Sequence, residues 1–265
     1  MSVTSGDIKV YGSTYHRNND TDQMVGGSIN TGILMLFDNP TLANAPGGIS
    51  GITVFSTAAA DTTIVSITGR AAGGNIVGEN ITMAGTTWAT GIQIFERILT
   101  IAAHQFGATP THSGIVTVRE NNSVLATMPV GVSYVRRPFY DVSADVAGGA
   151  NRTYYEKVFV KNISSSYHLL GATISELTDI VGGGSISGTL DLIQNSYTTG
   201  LNRVTCLPLT GIGPVWNATM ISGMPGADAD LADGSGIGVW LALYLPAGTA
   251  ANKSTYTLAV SGSTI

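Results

Sequence analysis

The densest group of side chains that could do chemistry is a short acidic segment. Asp228, Asp230 and Asp233 lie within six residues and are followed by Gly234. Carboxylate oxygens grouped in this way are ligands that calcium prefers. The spacing departs from an EF-hand loop, because the twelfth position counted from Asp228 is Val239 rather than an acid. The sequence therefore favours a solvated acidic loop at these residues over a calcium site.

The histidines offer little for a metal site. There are four of them, namely His16, His104, His112 and His168. His104 and His112 lie on opposite sides of Pro110, and a site built on this pair needs a third ligand that no spacing nominates. We therefore expect the histidines to serve on the surface or in packing, and we predict no bound metal.

A carbohydrate site is the main alternative that single residues leave open. Asp20 with Asp22, or Asp141 with Asp145, could supply the two carboxyl groups that glycoside cleavage needs. Three aromatic residues could line a sugar groove, namely Trp88, Trp216 and Tyr244. Aromatic side chains in β proteins more often anchor a core or an interface.

Motifs for other chemistry are missing from the sequence. No His-Glu-x-x-His zinc motif, phosphate-binding loop or nucleophile elbow occurs. The glycine clusters are not followed by a helical pattern, which speaks against a dinucleotide fold. We therefore predict a protein that is not an enzyme and that holds no cofactor.

The composition excludes two kinds of partner and suggests a third. Lys plus Arg number 12 and the net charge is −5, so no basic patch for nucleic acid is expected. No apolar run reaches the roughly 18 residues of a membrane helix, and no secretion signal is apparent at the start. The single Cys206 excludes an intrachain disulfide. Charged residues make up 11% of the chain, which indicates a surface largely covered by other subunits.

Short apolar runs with β-branched residues recur between turns rich in Gly, Ser, Thr and Asn, and they predict an all-β fold. Val65 and Ile67 alternate with polar residues, as do Val158 and Val160, which indicates strands with one packed and one wet face. The predicted strands are Ile33–Phe37, Ile52–Phe55, Thr63–Thr68, Asn80–Met83, Gly114–Arg119, Glu156–Asn162, Ala172–Glu176, Leu190–Ile193, Arg203–Leu207, Gly238–Leu245 and Thr255–Val260.

Three segments need a separate interpretation. The run from Gly91 to Phe106 fits one helix or two strands, and its Gly- and Thr-rich flanks favour strands at Ile92–Glu96 and from Arg97 onward. The tract Gly182–Gly188 is predicted to be the most flexible loop. Gly238–Leu245 is apolar on both faces and should be buried on both, either inside the domain or against a neighbour.

The chain is expected to divide into three parts. Residues 1–30 have few apolar groups and predict an N-terminal arm, strand-like around Ile8–Tyr11 and loose from Arg17 to Gly27. Two β-sandwich-like domains should follow at 31–138 and 139–265. The arm and the two-sided apolar strand are the candidate subunit interface, with residues Ile8, Val10, Tyr11, Trp240 and Tyr244.

Several stretches together resemble virion structural proteins of tailed bacteriophages. These stretches run in the same order along nearly the whole chain, namely Ser5–Ser13, Gly26-Gly27, Asp61–Arg70, Gly85–Thr87, Phe95–Leu99, Tyr154–Asn162, Leu245–Thr249 and Thr255–Leu258. The resemblance implies a non-catalytic head, neck or tail component assembled in the host cytoplasm, and it carries over no site residues.

The resemblance and the composition together lead to one functional expectation with two alternatives. We expect a capsid decoration or cement protein that binds the major capsid protein or other virion proteins and that self-associates, most simply as a homotrimer. A neck, tail or baseplate component is the first alternative, and a carbohydrate-binding β protein of the virion is the second. Neither nucleic acid nor a membrane is an expected partner.

Overall fold

The computed structural model describes most of the chain. Its described residues are 2–14, 24–35, 51–103, 112–120, 122–140, 142, 149–178, 180, 182–195, 198–202, 221–249 and 256–264. The predicted strand Arg203–Leu207, along with Trp216, His16, His104 and both acidic pairs considered for glycoside cleavage, lies outside these residues.

The predicted all-β class is confirmed. Apart from one 3₁₀ turn at Ser5–Asp7, every regular element among the described residues is a strand. The strands are β1 (Ile8–Ser13), β2 (Met24–Gly27), β3 (Ile29–Leu34), β4 (Ile52–Ser56), β5 (Ile64–Arg70), β6 (Ile76–Thr82), β7 (Ala89–Thr90), β8 (Arg97–Ala102), β9 (Val116–Glu120), β10 (Ser123–Met128), β11 (Tyr134–Arg136), β12 (Arg152–Asn162), β13 (Leu170–Thr178), β14 (Ser185–Leu190), β15 (Thr198–Asn202), β16 (Ile221–Gly223), β17 (Gly236–Leu245) and β18 (Thr257–Ser263).

The chain forms two compact units. The middle unit consists mainly of Asn30–Tyr140, and the terminal unit combines Met1–Tyr15 and Gln23–Ile29 with Asp141–Ile265. The division into two β-sandwich-like domains at residues 31–138 and 139–265 stays a prediction. The structure differs at the N-terminus, where it includes β1 in the terminal unit instead of leaving residues 1–30 as a separate arm.

The middle unit contains two four-stranded antiparallel sheets, ordered β10-β9-β4-β7 and β11-β8-β5-β6. Buried and partly exposed residues alternate along β4, β5 and β9, as the period-two pattern predicts. Val65 and Ile67 lie on the packed face of β5. Phe95, just before β8, is fully buried and fills the space beside Gly69, whose missing side chain allows the ring this close.

The main sheet of the terminal unit contains four strands of that unit, ordered β14-β17-β12-β1. β17 pairs with β12 from Gly236 to Leu245 and with β14 on its other side. Every residue from Gly236 to Leu243 is buried, so the prediction of a strand buried on both faces is confirmed as far as Leu243, whereas Tyr244 is exposed and Leu245 is partly buried. Smaller sheets, ordered β16-β13-β18 and β15-β2, complete this unit.

Three local predictions are corrected by the structure. Leu192 and Ile193 form no strand and are exposed, because the strand lies earlier at Ser185–Leu190. That strand also takes residues from the predicted flexible tract, since Gly188 pairs with Leu241 of β17. The segment 92–94 is a loop, whereas the strand expected from Arg97 is present as β8.

Candidate functional site

Trp240, predicted to lie at a subunit interface, is a core residue of the terminal unit. Its side chain is 0% exposed, and its indole Nε1 donates a hydrogen bond of 2.9 Å to Oδ1 of Asp191. A side chain in this position cannot contact another subunit without unfolding the sheet around it. Trp240 is therefore not part of the predicted interface, and it belongs to a buried polar cluster.

The centre of this cluster is an ion pair between Lys157 and Asp191. Lys157 Nζ lies 2.7 Å from Asp191 Oδ2, and both side chains are 0% exposed. The ammonium also donates a 3.2 Å hydrogen bond to the carbonyl of Gly27. We call Lys157, Asp191, Trp240 and the Gly27 carbonyl the buried charge cluster.

The sheet register explains why these groups meet. Lys157 pairs with Trp240 across β12 and β17, and Asp191 N donates to the carbonyl of Gly238, two residues before Trp240. All of these residues therefore share one face of the sheet. The alternation of Lys157 with Val158 predicts a wet face for the lysine, and this prediction is wrong because that face is covered within the unit.

Aromatic rings surround the ammonium. Lys157 Nζ lies 4.6 Å from the ring centroid of Phe159 and 5.2 Å from that of Trp240. Burial lowers the pKa of Lys157 below its ordinary value, against the opposing attraction of the Asp191 carboxylate. The arrangement thus places an amine of weakened basicity directly against a carboxyl group.

The other predicted interface residues have different surroundings. Ile8, Val10 and Tyr11 are half-buried, and their strand pairs with β12 of the same chain, Tyr11 opposite Phe159. Burial raises the pKa of the Tyr11 phenol. Tyr244 is 39% exposed, near the end of β17. The structure therefore leaves Tyr244 accessible and uses β1 inside the terminal unit.

A surface that the sequence did not indicate lies on the middle unit. Strand β6 is at the edge of its sheet, and its residues Ile76, Gly78, Asn80 and Thr82 are exposed. Glu79 accepts hydrogen bonds from the backbone N–H groups of Ile92, at 2.6 Å, and Gln93, at 3.1 Å. This carboxylate holds the loop 91–94 beside β6, with Ile92 92% exposed. We call β6 and this loop the β6 edge.

The β6 edge carries several apolar side chains. Ile76 is 57% exposed and Ile94 is 51% exposed, while Ile64 on the neighbouring strand β5 is 42% exposed. The polar residues of this surface include Ser66, whose hydroxyl donates to Asn80 at 2.8 Å, and Arg70, which pairs with Ile76 across β5 and β6. An edge strand with exposed isoleucines and few charges is the kind of surface that adds another chain.

The aromatic groove suggested by Trp88 is not free for a sugar. The guanidinium carbon of Arg119 lies 3.4 Å from the centroid of the Trp88 ring. Phe55 stacks on the same indole with centroids 4.9 Å apart and an interplanar angle of 29°. Trp88 is thus engaged within the middle unit, through a cation–π contact and an aromatic stack.

The acidic segment is tied to its own surroundings. Asp230 Oδ1 accepts a hydrogen bond from Gly171 N at 2.8 Å, and Asp233 Oδ1 lies 2.8 Å from His168 Nε2. Asp228 is exposed. Across the described ranges, no group of three or more His, Cys, Asp or Glu side chains is arranged to hold a metal ion. The carboxylates here stabilise a surface turn, as the solvated-loop interpretation has it.

Another carboxylate, missed at the sequence level, organises one end of the middle unit. Asp61 accepts hydrogen bonds from Ser56 Oγ at 2.5 Å, from Ser113 N and Oγ at 2.8 Å each, and from Gly114 N at 3.0 Å. Burial alone would raise the pKa of Asp61, but these hydrogen bonds outweigh it and hold the pKa well below its ordinary value. Asp61 therefore joins the loop after β4 to the segment before β9.

His112 has a structural role. Its Nδ1 and Nε2 lie 2.8 Å from the carbonyl oxygens of Gly114 and Val132, and the ring is buried. Both nitrogens are thus engaged by the backbone of the middle unit.

In the part of the chain that the structure describes, no helix is long and apolar enough to cross a membrane.

Comparison with known proteins identifies no family. No family description and no curated protein matches this chain. One similar solved structure is the infectious bursal disease virus VP2 subviral particle, with 13% identity over 100% of this chain and 68% of that chain, at a TM-score of 0.17. Another is the D431N mutant of VP2 from the same virus, in derived T=1 particles, with 10% identity, coverage of 100% and 66%, and a TM-score of 0.15. Likeness at this level carries no functional inference, so the function is argued from the chain itself.

Proposed function

We propose that the protein is a non-enzymatic structural subunit of a virus particle. The observation that carries the proposal is the β6 edge, where Glu79 holds the loop of Ile92 beside an edge strand on which Ile76 is exposed. A free monomer gains nothing from an isoleucine that is 92% exposed, whereas a subunit buries it on assembly.

The charge of the chain supports the same function. Charged residues are 11% of the sequence, well under the roughly 25% of an average globular protein. Low surface charge promotes association in a protein that stays free in solution. In a shell, contacts with other subunits cover that surface.

Within this function, we propose a decoration or cement protein assembled in the host cytoplasm. The order of short motifs that resembles tailed-phage virion proteins supports this choice. The major capsid protein is the expected partner, and a homotrimer is the expected free form because it matches the threefold positions of an icosahedral shell. A neck, tail or baseplate component is the alternative.

The first experiment tests association through the β6 edge. Sedimentation of the full chain at micromolar concentration should give an oligomer, and Ile92→Ser should shift the population toward monomer with an unchanged circular dichroism spectrum. Ile163→Ser is the matched control, because Ile163 is 42% exposed on the terminal unit. A monomeric wild-type protein, or equal effects of both variants, would contradict the role of this edge.

The second experiment separates the virion locations. The protein is labelled and counted in particles assembled with and without the Ile92→Ser substitution. Hundreds of copies per particle support decoration of the head, whereas about a dozen or fewer support a neck or tail ring. Absence of the protein from purified particles would refute the virion role altogether.

A further inference from the structure

The buried charge cluster has a geometry that an ordinary core position does not need. Lys157 lies on β12, and Asp191 follows β14, with β17 between these two strands. The lysine side chain therefore crosses one whole strand to reach its partner. It crosses at Gly238, where a Cβ atom would overlap both the Asp191 carboxylate and the Lys157 side chain. A glycine at the third position of a ten-residue strand thus provides the space in which the two groups meet.

Keeping these two groups as ions is costly. Both side chains are 0% exposed, and the attraction within a fully buried ion pair often fails to repay the loss of hydration. An amide that joins Nζ of Lys157 to Cγ of Asp191 carries no charge and keeps the connection between the strands. Burial also excludes the bulk water that would favour hydrolysis.

We propose that Lys157 and Asp191 condense within the folded terminal unit to form an intramolecular isopeptide bond. The 2.7 Å separation of Nζ and Oδ2 lets a proton pass directly from the ammonium to the carboxylate, which leaves a neutral amine and a carboxylic acid. A desolvated lysine of this kind is an activated nucleophile. No oxidant, reductant or bound group is required.

The bond changes balance within the pair. The Nζ lone pair attacks Cγ of Asp191 and forms the new C–N bond, and electrons move onto Oδ1. When the C=O bond re-forms, the Cγ–Oδ2 bond breaks, and Oδ2 leaves as water with both protons that the ammonium has given up. Ammonium and carboxylate thus become one secondary amide and one water molecule.

Two neighbours are placed to assist this step. Trp240 Nε1–H donates at 2.9 Å to Oδ1, the atom on which negative charge develops, so it acts as the oxyanion donor. The Gly27 carbonyl accepts from Nζ at 3.2 Å and orients the amine. Gly27 belongs to β2, so the arrangement is complete only once the N-terminal part of the chain has joined the terminal unit.

The mass of the intact protein tests the proposal directly. The full chain, purified in the folded state and then denatured, should weigh less than its sequence by one water molecule. Proteolysis should release one branched peptide joining the segments around Lys157 and Asp191. Protein recovered in denaturant before folding should have the full mass of its sequence. On refolding it should lose the mass of one water molecule.

Substitutions test which side chains form the proposed bond. Lys157→Ala and Asp191→Ala should have their full sequence masses, and Lys161→Ala, as the matched control on the same strand, should keep the loss of water. Asp191→Asn should lose ammonia instead, because the same attack then expels nitrogen. Trp240→Phe should slow the mass change during refolding by roughly the 100-fold typical of removing one oxyanion donor. Full mass in the folded wild-type protein, or loss of water in Lys157→Ala, overturns the proposal.

Discussion

Replacing Asp61 with Asn should destabilise the middle unit far more than its small chemical change suggests. Each carboxylate oxygen accepts one backbone N–H, Oδ1 from Ser113 and Oδ2 from Gly114, and the serine hydroxyls donate to the same atoms. The amide of Asn turns one oxygen into an NH₂ group, which then faces a backbone N–H whichever way it is placed. The hydroxyls can rotate to adapt, but the backbone donor cannot.

The expected cost follows from this single conflict. Losing one charge-assisted hydrogen bond costs about 1.5–3 kcal/mol, and leaving a buried N–H unpaired costs about 1–3 kcal/mol more. We therefore expect Asp61→Asn to lower the free energy of unfolding of the middle unit by about 3 kcal/mol or more at pH 7. Asp228→Asn, an exposed control, should change it by less than about 0.5 kcal/mol.

The effect should depend on pH in one direction. The pKa of Asp61 is lowered in the folded state, so its contribution is complete above the ordinary carboxyl pKa and is lost as pH falls through the lowered value. Between pH 7 and pH 3 the gap between wild type and Asp61→Asn should shrink by about 1 kcal/mol, since pH 3 lies about one unit below the unfolded pKa.

Urea titration followed by pulsed hydrogen exchange measures the free energy of unfolding of the middle unit separately from that of the terminal unit. Peptides covering 51–62 and 112–120 report the middle unit, and peptides covering 152–162 report the terminal unit as an internal control. A loss below about 1 kcal/mol at pH 7 would refute the assigned hydrogen bonds, because even one charge-assisted bond is worth more. A gap that stays constant down to pH 3 would refute the lowered pKa.

Three further predictions follow from the packing and the acidic segment. Deleting residues 2–13 removes β1 and exposes one edge of β12, so the terminal unit should lose its cooperative thermal transition in calorimetry. An unchanged transition would make this segment a dispensable arm. Phe95→Ala should lower the free energy of unfolding, measured by urea denaturation, by about 3–5 kcal/mol. Ile94→Ala, one position away and 51% exposed, should lower it by less than about 1 kcal/mol. Equal losses would contradict the assigned burial. Treatment with a chelator should leave the melting temperature unchanged, because Asp230 and Asp233 already bond within the chain, and a drop would indicate a bound cation.

The strands of this protein follow from its sequence wherever the pattern is strong and local. The two-sided apolar run ending at Leu245 predicts a strand buried on both faces, and β17 is buried on both faces up to Leu243. The same rules miss β14 at Ser185–Leu190, because its Gly- and Ser-rich residues have weak strand propensity of their own. That strand forms because β17 offers a long backbone partner, and this partner is distant in the sequence.

The functional residues were harder to predict, and for a specific physical reason. Alternation correctly sets Lys157 apart from Val158, but it does not tell which face another part of the chain will cover. Its partners, Gly27 and Asp191, come from elsewhere in the sequence and meet it only through the sheet order β14-β17-β12. Glu79 and Ile92 present the same difficulty, since nothing in either local sequence indicates that a carboxylate will hold that loop.

Several charged residues of this protein serve the stability of its two units. The sequence has 12 basic and 17 acidic residues, but within the described ranges several of them are buried, namely Asp61, Glu120, Arg136, Glu156, Lys157 and Asp191. Uncharged residues are buried in about the same proportion, so the exposed part of the described chain is about as poor in charge as the 11% of the sequence. Charges that could have kept a monomer soluble instead hold loops and strands together inside each unit. Such a protein uses part of its charge for the stability of the subunit and keeps few charges on its surface, and this division suits a subunit whose surface is completed by its neighbours.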